Sequence, residues 1–308
     1  MIYSPGRSLF IVLIAGLLAG CASTAPTLAP TVAPTATAVP TATHVPTPGP
    51  TIQPGDIERT LMVDGLERSY ILHIPPGLDS LRPMPVVFAF HDVDSGAINM
   101  QLLTGFNEIA DKAGFLVVYP EGIGLSWNGG GGCCQYAASI NVDDITFVRQ
   151  ILSDVGTIAS LDTKRIYAAG FAHGSSLVYR LACEMSETFA AIAPVEGFLV
   201  YSPCQPQKPV SVIHVHSLYD SHLPYAGGGH HNIPPVEKVI ATWVELNGCT
   251  GSPTIDNPVK TIKHSAYTSC EGGTAVELYT VEGVGWVPDS VYPISETIWE
   301  FFAAHPKP

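Results

Sequence analysis

Residues 165–180 read RIYAAGFAHGSSLVYR, and this stretch decides the fold. An apolar run typical of a buried strand ends at Gly170, and helical spacing of apolar residues begins near Gly174. The two glycines lie two residues before and after Ala172, which is the Gly-x-Ser-x-Gly pattern of a nucleophile elbow with alanine in the serine position. Glycine is needed at both positions because the strand and helix backbones approach closely at such a turn. The stretch therefore predicts a strand–turn–helix unit without a nucleophile at its apex.

The same alternation of strand and helix continues on both sides of this unit. Asp64-Gly65 is a turn dipeptide between two apolar runs, which predicts an N-terminal hairpin. Nearly continuous apolar runs suit parallel strands that are covered on both faces, and alternation with helices predicts a doubly wound, mostly parallel α/β sheet. The predicted strands are 59–63, 68–74, 86–90, 115–119, 165–169, 190–194 and 210–215, and the predicted helices are 102–113, 144–158, 176–185 and 236–246.

The first 55 residues have a different composition from the rest of the chain. Arg7, an apolar run over residues 9–18 and the small residues before Cys21 are typical of a secretory signal. Leu18-Ala-Gly-Cys21 resembles the lipobox of bacterial lipoproteins, in which the cysteine is lipidated and becomes the mature N-terminus. Residues 22–54 contain nine Thr, eight Pro and seven Ala, a composition typical of an extended spacer. We therefore expect a signal peptide over 1–20, a disordered linker over 21–55 and one folded domain over 56–308.

The charge balance limits the classes of partner. The chain has 14 Lys and Arg against 27 Asp and Glu, a formal charge of −13, and every acidic residue lies from Asp56 onward. Nucleic-acid binding needs clustered basic residues to neutralise phosphates, and the sequence contains no such cluster. The sequence therefore argues against a nucleic-acid partner and predicts attachment to a membrane only through the N-terminal lipid anchor.

Six cysteines remain when Cys21 is set aside, and an even number in an exported domain favours disulfides. Cys249 and Cys270 are the best-supported pair. The neighbours Cys133 and Cys134 are expected to bond to different partners, with Cys183 and Cys204 as the candidates. A zinc site is the alternative interpretation, but the sequence has no Cys-x-x-Cys pair.

Several segments share one pattern: 106–111, 114–121, Trp127-Asn128 with Cys133-Cys134, 142–144, 170–197 and Asp220 with Pro224 and Tyr225. Together they resemble the secreted polyhydroxybutyrate depolymerase and feruloyl esterase family of α/β-hydrolases. The resemblance covers most of residues 57–303. It implies the α/β-hydrolase fold and, for active members, ester hydrolysis by a Ser-His-Asp triad with an oxyanion hole and no cofactor.

Transferred residue by residue, the resemblance implies a degenerate active site. Asp220 retains the acid position, but Ala172 occupies the nucleophile position. The base histidine falls on Trp286, or on Gly285 with a one-residue shift of the alignment. The oxyanion region includes His91, Asp92 and His173, and a carboxylate at Asp92 could repel a developing oxyanion.

These departures favour a pseudoenzyme that binds an extracellular ester, polyester or polysaccharide ligand at the cell surface. The first alternative is an active carboxylic-ester hydrolase that uses Ser175 or Ser176, or a metal-activated water. A divalent metal held by some of six residues is conceivable, but structural or solvated roles are favoured for them, so no metal or cofactor is predicted. The six residues are His173, His216, Asp220, His222, His230 and His231.

The second alternative is a passive surface module.

Overall fold

Ten strands form one sheet in the part of the chain that the computed structural model describes, residues 53–77, 82–132, 135–229, 231–285 and 292–308. The strands are β1 (Gly55–Val63), β2 (Leu66–Ile74), β3 (Met84–Phe90), β4 (Leu116–Pro120), β5 (Leu161–Phe171), β6 (Ala191–Val195), β7 (Ser211–Ser217), β8 (Thr254–Val259), β9 (Ile262–Tyr267) and β10 (Val276–Val281). The helices are α1 (Ala97–Thr104), α2 (Phe106–Ala113), α3 (Gln135–Ser139), α4 (Asp144–Val155), α5 (His173–Glu184), α6 (Val236–Leu246) and α7 (Ile294–Ala304). Short 3-10 turns cover Ile123–Leu125 and Glu271–Gly273.

The sheet order is β1-β2-β4-β3-β5-β6-β7-β10-β9-β8. Neighbouring strands from β4 to β10 in this order are parallel, whereas β1 and β2 form an antiparallel hairpin at one edge and β9 and β8 are antiparallel at the other. This arrangement confirms the doubly wound, mostly parallel α/β sheet with an N-terminal hairpin. The carboxyl ends of the parallel strands therefore meet at one edge, where such folds place their sites.

Helices cover both faces of the sheet. Successive side chains of a strand point to opposite faces, and in the central strands the side chains on both faces are apolar. On β3, Phe88 packs into the layer that contains α4, α5 and α6, whereas Val87 packs into the layer that contains α1, α2 and α7. Both side chains are fully buried. Truncation of a residue such as Phe88 to alanine would cost about 3–5 kcal/mol of stability. The result is a rigid three-layer support for the loops at the sheet edge.

A buried ion pair connects the N-terminal hairpin to α4. The Arg68 guanidinium donates to Asp144 Oδ1 at 2.8 Å and lies 3.9 Å above the Phe147 ring, and both charged side chains are almost completely inaccessible to solvent. The backbone N–H of Asn128 donates to the other Asp144 oxygen at 2.7 Å. Asp144 therefore ties together a strand, a helix and the loop that contains Trp127.

Several boundaries differ from the sequence predictions. The predicted helix 102–113 is two helices, because Gly105 adopts a left-handed conformation with φ 55° and ends α1. Strands β8 to β10 and helix α7 were not predicted. All described residues belong to one compact unit, Pro48–Pro308, and the predicted signal, Cys21 and nearly all of the predicted linker lie outside the described residues. Within the described ranges, no helix combines the length and the apolar character needed to cross a bilayer.

Two disulfides are present among the described cysteines. Cys249 bonds to Cys270, which confirms the predicted pair, with 3.8 Å between their Cα atoms. The prediction that Cys183 and Cys204 bond to Cys133 and Cys134 is wrong, because they bond to each other. Cys183 lies in the last turn of α5, and the loop after β6 returns Cys204 to it, with 5.1 Å between the Cα atoms. Cys133 and Cys134 lie outside the described residues.

Candidate active site

The turn between β5 and α5 has the geometry of a nucleophile elbow. Ala172 lies at its apex with φ 46° and ψ −112°, a conformation that costs a non-glycine residue about 1–3 kcal/mol. A Cβ atom on Gly170 would lie 2.7 Å from the Gly174 backbone, and one on Gly174 would lie 2.4 Å from the Phe90 carbonyl oxygen. The two glycines are therefore required by the close approach of the backbones. The elbow is intact, but its apex offers only a methyl group.

The oxyanion region holds a carboxylate of the chain itself. Asp92 Oδ1 accepts hydrogen bonds from the backbone N–H of Val93 at 2.7 Å and from the backbone N–H of His173 at 3.1 Å. In an α/β-hydrolase, the N–H of the residue after the nucleophile and one from the loop after β3 form the oxyanion hole. The Asp92 carboxylate therefore occupies the place where a reacting ester would develop negative charge. Both N–H donors are therefore already paired with a carboxylate of the chain, and the repulsion of an oxyanion stays a prediction.

The His173 ring connects Asp92 to the loop after β7. His173 Nδ1 lies 3.1 Å from Asp92 Oδ1, and His173 Nε2 lies 3.3 Å from His231 Nε2. The ring of His173 meets the ring of Phe198 edge to face, and the His231 ring stacks on Phe198. Because a carboxylate only accepts hydrogen bonds, His173 Nδ1 carries a proton and donates it to Asp92.

Asp220 lies beyond the end of β7, as the family resemblance predicts for the acid. Its Oδ1 accepts from the backbone N–H groups of His222 at 2.8 Å and Leu223 at 2.9 Å. Its Oδ2 lies 3.8 Å from His216 Nε2. Asp220 thus has an ordered carboxylate, but the neighbouring histidine is at its back, inside the protein.

A buried chain of hydrogen bonds runs behind Asp220. His216 Nε2 donates to the Leu223 carbonyl oxygen at 2.8 Å, so a neutral His216 accepts at Nδ1 from His214 Nε2 at 3.1 Å. His214 Nδ1 in turn accepts from the Tyr179 hydroxyl at 2.6 Å. Burial lowers the pKa of both histidines below the ordinary value. Each donor in this series of hydrogen bonds is therefore oriented toward the Asp220 loop, and both imidazoles are neutral at pH 7.

Glu196 and Asp220 approach His216 closely enough for one ligand atom from each to lie within 4.8 Å of the other two. Glu196 accepts from the backbone N–H of Ser217, and its Oε2 lies 3.5 Å from His216 Nε2. However, His216 Nε2 carries the proton that bonds to Leu223, and its Nδ1 accepts from His214. A metal at this cluster would need to break one of these hydrogen bonds, so the cluster fits a structural network better than a metal site.

His91 and Trp127 support the loop after β3. His91 Nδ1 donates to the Asp92 carbonyl oxygen at 2.6 Å, and its Nε2 accepts from the Gly122 N–H at 2.9 Å. Trp127 Nε1 donates to the His91 carbonyl oxygen at 2.9 Å. Burial lowers the pKa of His91, so the ring is neutral. Both residues position Asp92 without lining the cavity.

The two serines after the elbow are committed to the first turn of α5. Ser175 Oγ donates to the Ala172 carbonyl oxygen at 2.5 Å, and Ser176 Oγ donates to the His173 carbonyl oxygen at 2.6 Å. Both residues are buried, and a Cβ on Gly197 would lie 1.7 Å from Ser175 Oγ. Neither hydroxyl lines the cavity, so neither is placed to attack a bound ester.

A cavity of about 600 Å³ opens over Ala172 and brings the sequence-predicted residues Asp92, His173 and Asp220 together. Trp286 lies outside the described residues, but its neighbour Gly285 lines the cavity. Lys and Arg are absent from the described lining. The lining residues are Asp92, Val93, Ala172, His173, Asp220, Ser221, His222, Leu223 and Gly285.

Sequence reasoning missed two participants, Val93 and Glu196, and did not foresee the contact of a third, His231. Val93 was not singled out because its contribution is a backbone N–H, which no residue type reveals. Glu196 follows β6 and is buried, although a glutamate after an apolar strand was a visible signal. His231 was named only as one of six possible metal ligands, and its contact with His173 depends on how the loop after β7 folds back.

Comparisons with known proteins show which proteins this chain is similar to. Residues 68–217 match the model of the family described as Esterase PHB depolymerase. Feruloyl esterase B of Piromyces equi is 27% identical over 234 residues, which are 71% of this chain and 42% of that protein. The chain therefore spans less than half the length of that relative. Feruloyl esterase C of Emericella nidulans is 26% identical over 269 residues, covering 82% of this chain and 91% of that protein. The structure of an acetyl xylan esterase from Aspergillus awamori superposes with a TM-score of 0.61 at 13% identity, over 80% of this chain and 99% of that one.

Proposed function

We propose a function that follows from one premise: the chain belongs to the Esterase PHB depolymerase family within the α/β-hydrolase superfamily. Its role is to bind an extracellular ester, polyester or polysaccharide ligand in the former substrate cleft without hydrolysing it. The relatives are named for esters of feruloyl and acetylxylan groups, which makes plant-type polysaccharides and their aromatic esters the first ligands to test. The protein is in this view a pseudoenzyme.

The observation that carries the proposal is the position of Asp92. Its Oδ1 accepts from the Val93 and His173 N–H groups directly beside Ala172. The chain thus lacks the nucleophile and at the same time satisfies the donors that would stabilise the reaction's oxyanion. Each such donor contributes about 10²–10³-fold to turnover in a serine hydrolase. A cleft with neither a nucleophile nor free N–H donors can still bind a ligand by its shape, but it has no route to an acyl-enzyme.

The cellular location forms part of the proposal. The signal and lipobox resemblance at residues 1–21 and the two disulfides support export to an oxidising compartment. Lipidation of Cys21 would attach the chain to a membrane, and the Thr- and Pro-rich residues 22–54 would hold the acidic domain away from an anionic surface.

The decisive experiment is an assay of the full chain, purified in mild detergent, on p-nitrophenyl acetate and methyl ferulate. We expect no turnover above the buffer rate, and no difference between the native chain and Asp220→Ala. Turnover that Asp220→Ala abolishes would refute the pseudoenzyme assignment. Labelling of Ser175 by a fluorophosphonate, lost in Ser175→Ala, would instead indicate a displaced nucleophile.

Ligand binding is tested separately by thermal shift with ferulate, xylo-oligosaccharides and 3-hydroxybutyrate oligomers. A ligand that binds only the native state raises the melting temperature, by RT ln(1 + [L]/Kd) in stability. The matched control is Leu223→Trp, which fills part of the cavity and should remove the shift. If no compound in these three classes shifts the melting temperature, the passive surface module is the better description.

A further inference from the structure

We propose that His173 and His231 form a binding site for a divalent transition-metal ion, with Zn²⁺ as the first candidate, at the vacated active site. The two Nε2 atoms lie 3.3 Å apart. His173 lines the cavity beside Ala172. This site goes beyond the proposed function and does not depend on it.

The hydrogen bonds of His173 prepare its Nε2 atom as a ligand. Because Asp92 Oδ1 accepts the Nδ1 proton at 3.1 Å, the neutral His173 ring has its lone pair at Nε2. A carboxylate that accepts from the non-coordinating nitrogen is the usual partner of a metal-binding histidine, since it fixes the tautomer and raises the basicity of the ligand. Asp92 therefore acts as a positioning residue for His173.

The spacing of the two nitrogens fits a tetrahedral ion. With Zn–N bonds of 2.0–2.1 Å, two nitrogens on a tetrahedral Zn²⁺ lie about 3.3–3.4 Å apart. The distance of 3.3 Å between His173 Nε2 and His231 Nε2 matches this value, so the two atoms need not move apart or closer together. In the metal-free protein the proton in this gap is on His231 Nε2, because His173 Nε2 carries a lone pair. When the ion binds, this proton leaves for solvent and His231 takes up a solvent proton at Nδ1, so both neutral rings ligate through Nε2.

Both rings contact the side chain of Phe198. The Phe198 side chain is buried, its ring meets the His173 ring at 90° with 5.6 Å between centroids, and it lies nearly parallel to the His231 ring at 6.3 Å. Rings that are fixed before binding lose less conformational entropy when the ion arrives. Phe198 thus preorganises the pair.

The charges around the cavity favour a cation. Asp92 and Asp220 line it, and no Lys or Arg does so in the described part of the chain. The two histidines supply two of the four tetrahedral positions. Solvent water would fill the remaining positions, because no third ligand atom of the described residues lies within 4.8 Å of both Nε2 atoms. A position toward the cavity would take water or an anionic oxygen such as a ligand carboxylate.

The test is a titration of the full chain, stripped with EDTA and with its disulfides intact, with ZnCl₂ by isothermal titration calorimetry. A parallel titration with CoCl₂ is followed in the visible spectrum, where bound Co²⁺ reports its ligands and geometry. We expect one ion per chain that is lost or weakened at least ~100-fold in His173→Ala and in His231→Ala. The conservative Asp92→Asn should weaken binding about 10–100-fold while leaving the stoichiometry unchanged.

His305→Gln is the matched control, because His305 bonds to the Phe301 carbonyl oxygen on α7, outside the cavity lining. It should bind Zn²⁺ like the native chain. Melting temperatures of the metal-free variants show whether each one folds. Zn²⁺ binding with unchanged affinity in a folded His173→Ala or His231→Ala chain would overturn the proposal, as would the absence of a saturable site in the native chain.

Discussion

Asp92 can be tested as the residue that blocks the oxyanion hole, provided that a nucleophile and a base are restored first. Ala172→Ser supplies a nucleophile, and because Ala172 already has a Cβ at φ 46°, the added hydroxyl needs no change of backbone. Gly285→His supplies a base at one of the two aligned positions, since a Cβ there lies 3.6 Å from the Tyr219 carbonyl oxygen, an ordinary contact distance. The test is the addition of Asp92→Gly to this double variant.

The expected size of the effect follows from the hydrogen bonds. Asp92 Oδ1 accepts from two N–H groups, at 2.7 Å and 3.1 Å, and each oxyanion donor is worth ~10²–10³ in turnover. Freeing at least one donor should therefore raise turnover about 10²-fold or more over the Ala172→Ser/Gly285→His chain. Ala172→Ser alone should gain less than ~10-fold, because nucleophile and base act as a unit.

The assay is release of p-nitrophenol from p-nitrophenyl acetate, with circular dichroism to check the fold and Asp220→Ala as the control in each background. The reasoning is refuted if the double and triple variants turn over at the same measurable rate. It is also refuted if Ala172→Ser alone reaches the rate of the triple variant, because the carboxylate would then not obstruct the reaction.

Three further predictions concern stability and are checked by urea unfolding. Asp144→Ala should lose about 3–5 kcal/mol, because it leaves the buried Arg68 charge unpaired, whereas Asp144→Leu combined with Arg68→Met should lose much less; equal losses would contradict this account. Gly174→Ala should destabilise the elbow by about 1–3 kcal/mol or more through overpacking against fixed backbone, and an unchanged midpoint would show that the close approach is not rigid. Burial by itself lowers the pKa of His264, but the carboxylates of Glu277 and Asp256 raise it overall above 6.5. The loss of stability in His264→Gln should therefore be full below about pH 6.5 and disappear as the pH rises through the raised pKa of the folded protein. A loss of stability that grows with pH would contradict this prediction.

The central part of the fold could be predicted from sequence because its signals are local. The apolar runs at β3 to β7 and the glycines around Ala172 determine strand, turn and helix within about fifteen residues. The antiparallel edge was missed because β8 is exposed along its whole length and contains Pro258, so it has no apolar alternation to detect. The break between α1 and α2 was missed because Gly105 inside an apolar pattern can equally continue a helix.

The candidate site was predictable only in part for a different reason. The residue types at Ala172 and Asp220 are visible in the sequence, and so is the presence of a carboxylate at Asp92. The bond from Asp92 to the His173 N–H joins residues 81 positions apart, and its length depends on how the loop after β3 meets α5. The sequence could therefore indicate that the serine of the elbow is replaced by Ala172, but not that the two N–H donors are satisfied from within the chain.

The positive φ of Ala172 has a consequence for how this protein can change. Ala172 adopts a conformation that disfavours alanine although it has no hydroxyl to present, so the conformation is imposed by the junction of β5 with α5. Any side chain placed at position 172 will accordingly be presented to the cavity along the same vector. The backbone of this junction fixes the direction of the side chain at position 172. A cysteine, a serine or an unnatural reactive group introduced there should therefore point into the cavity without redesign of the backbone.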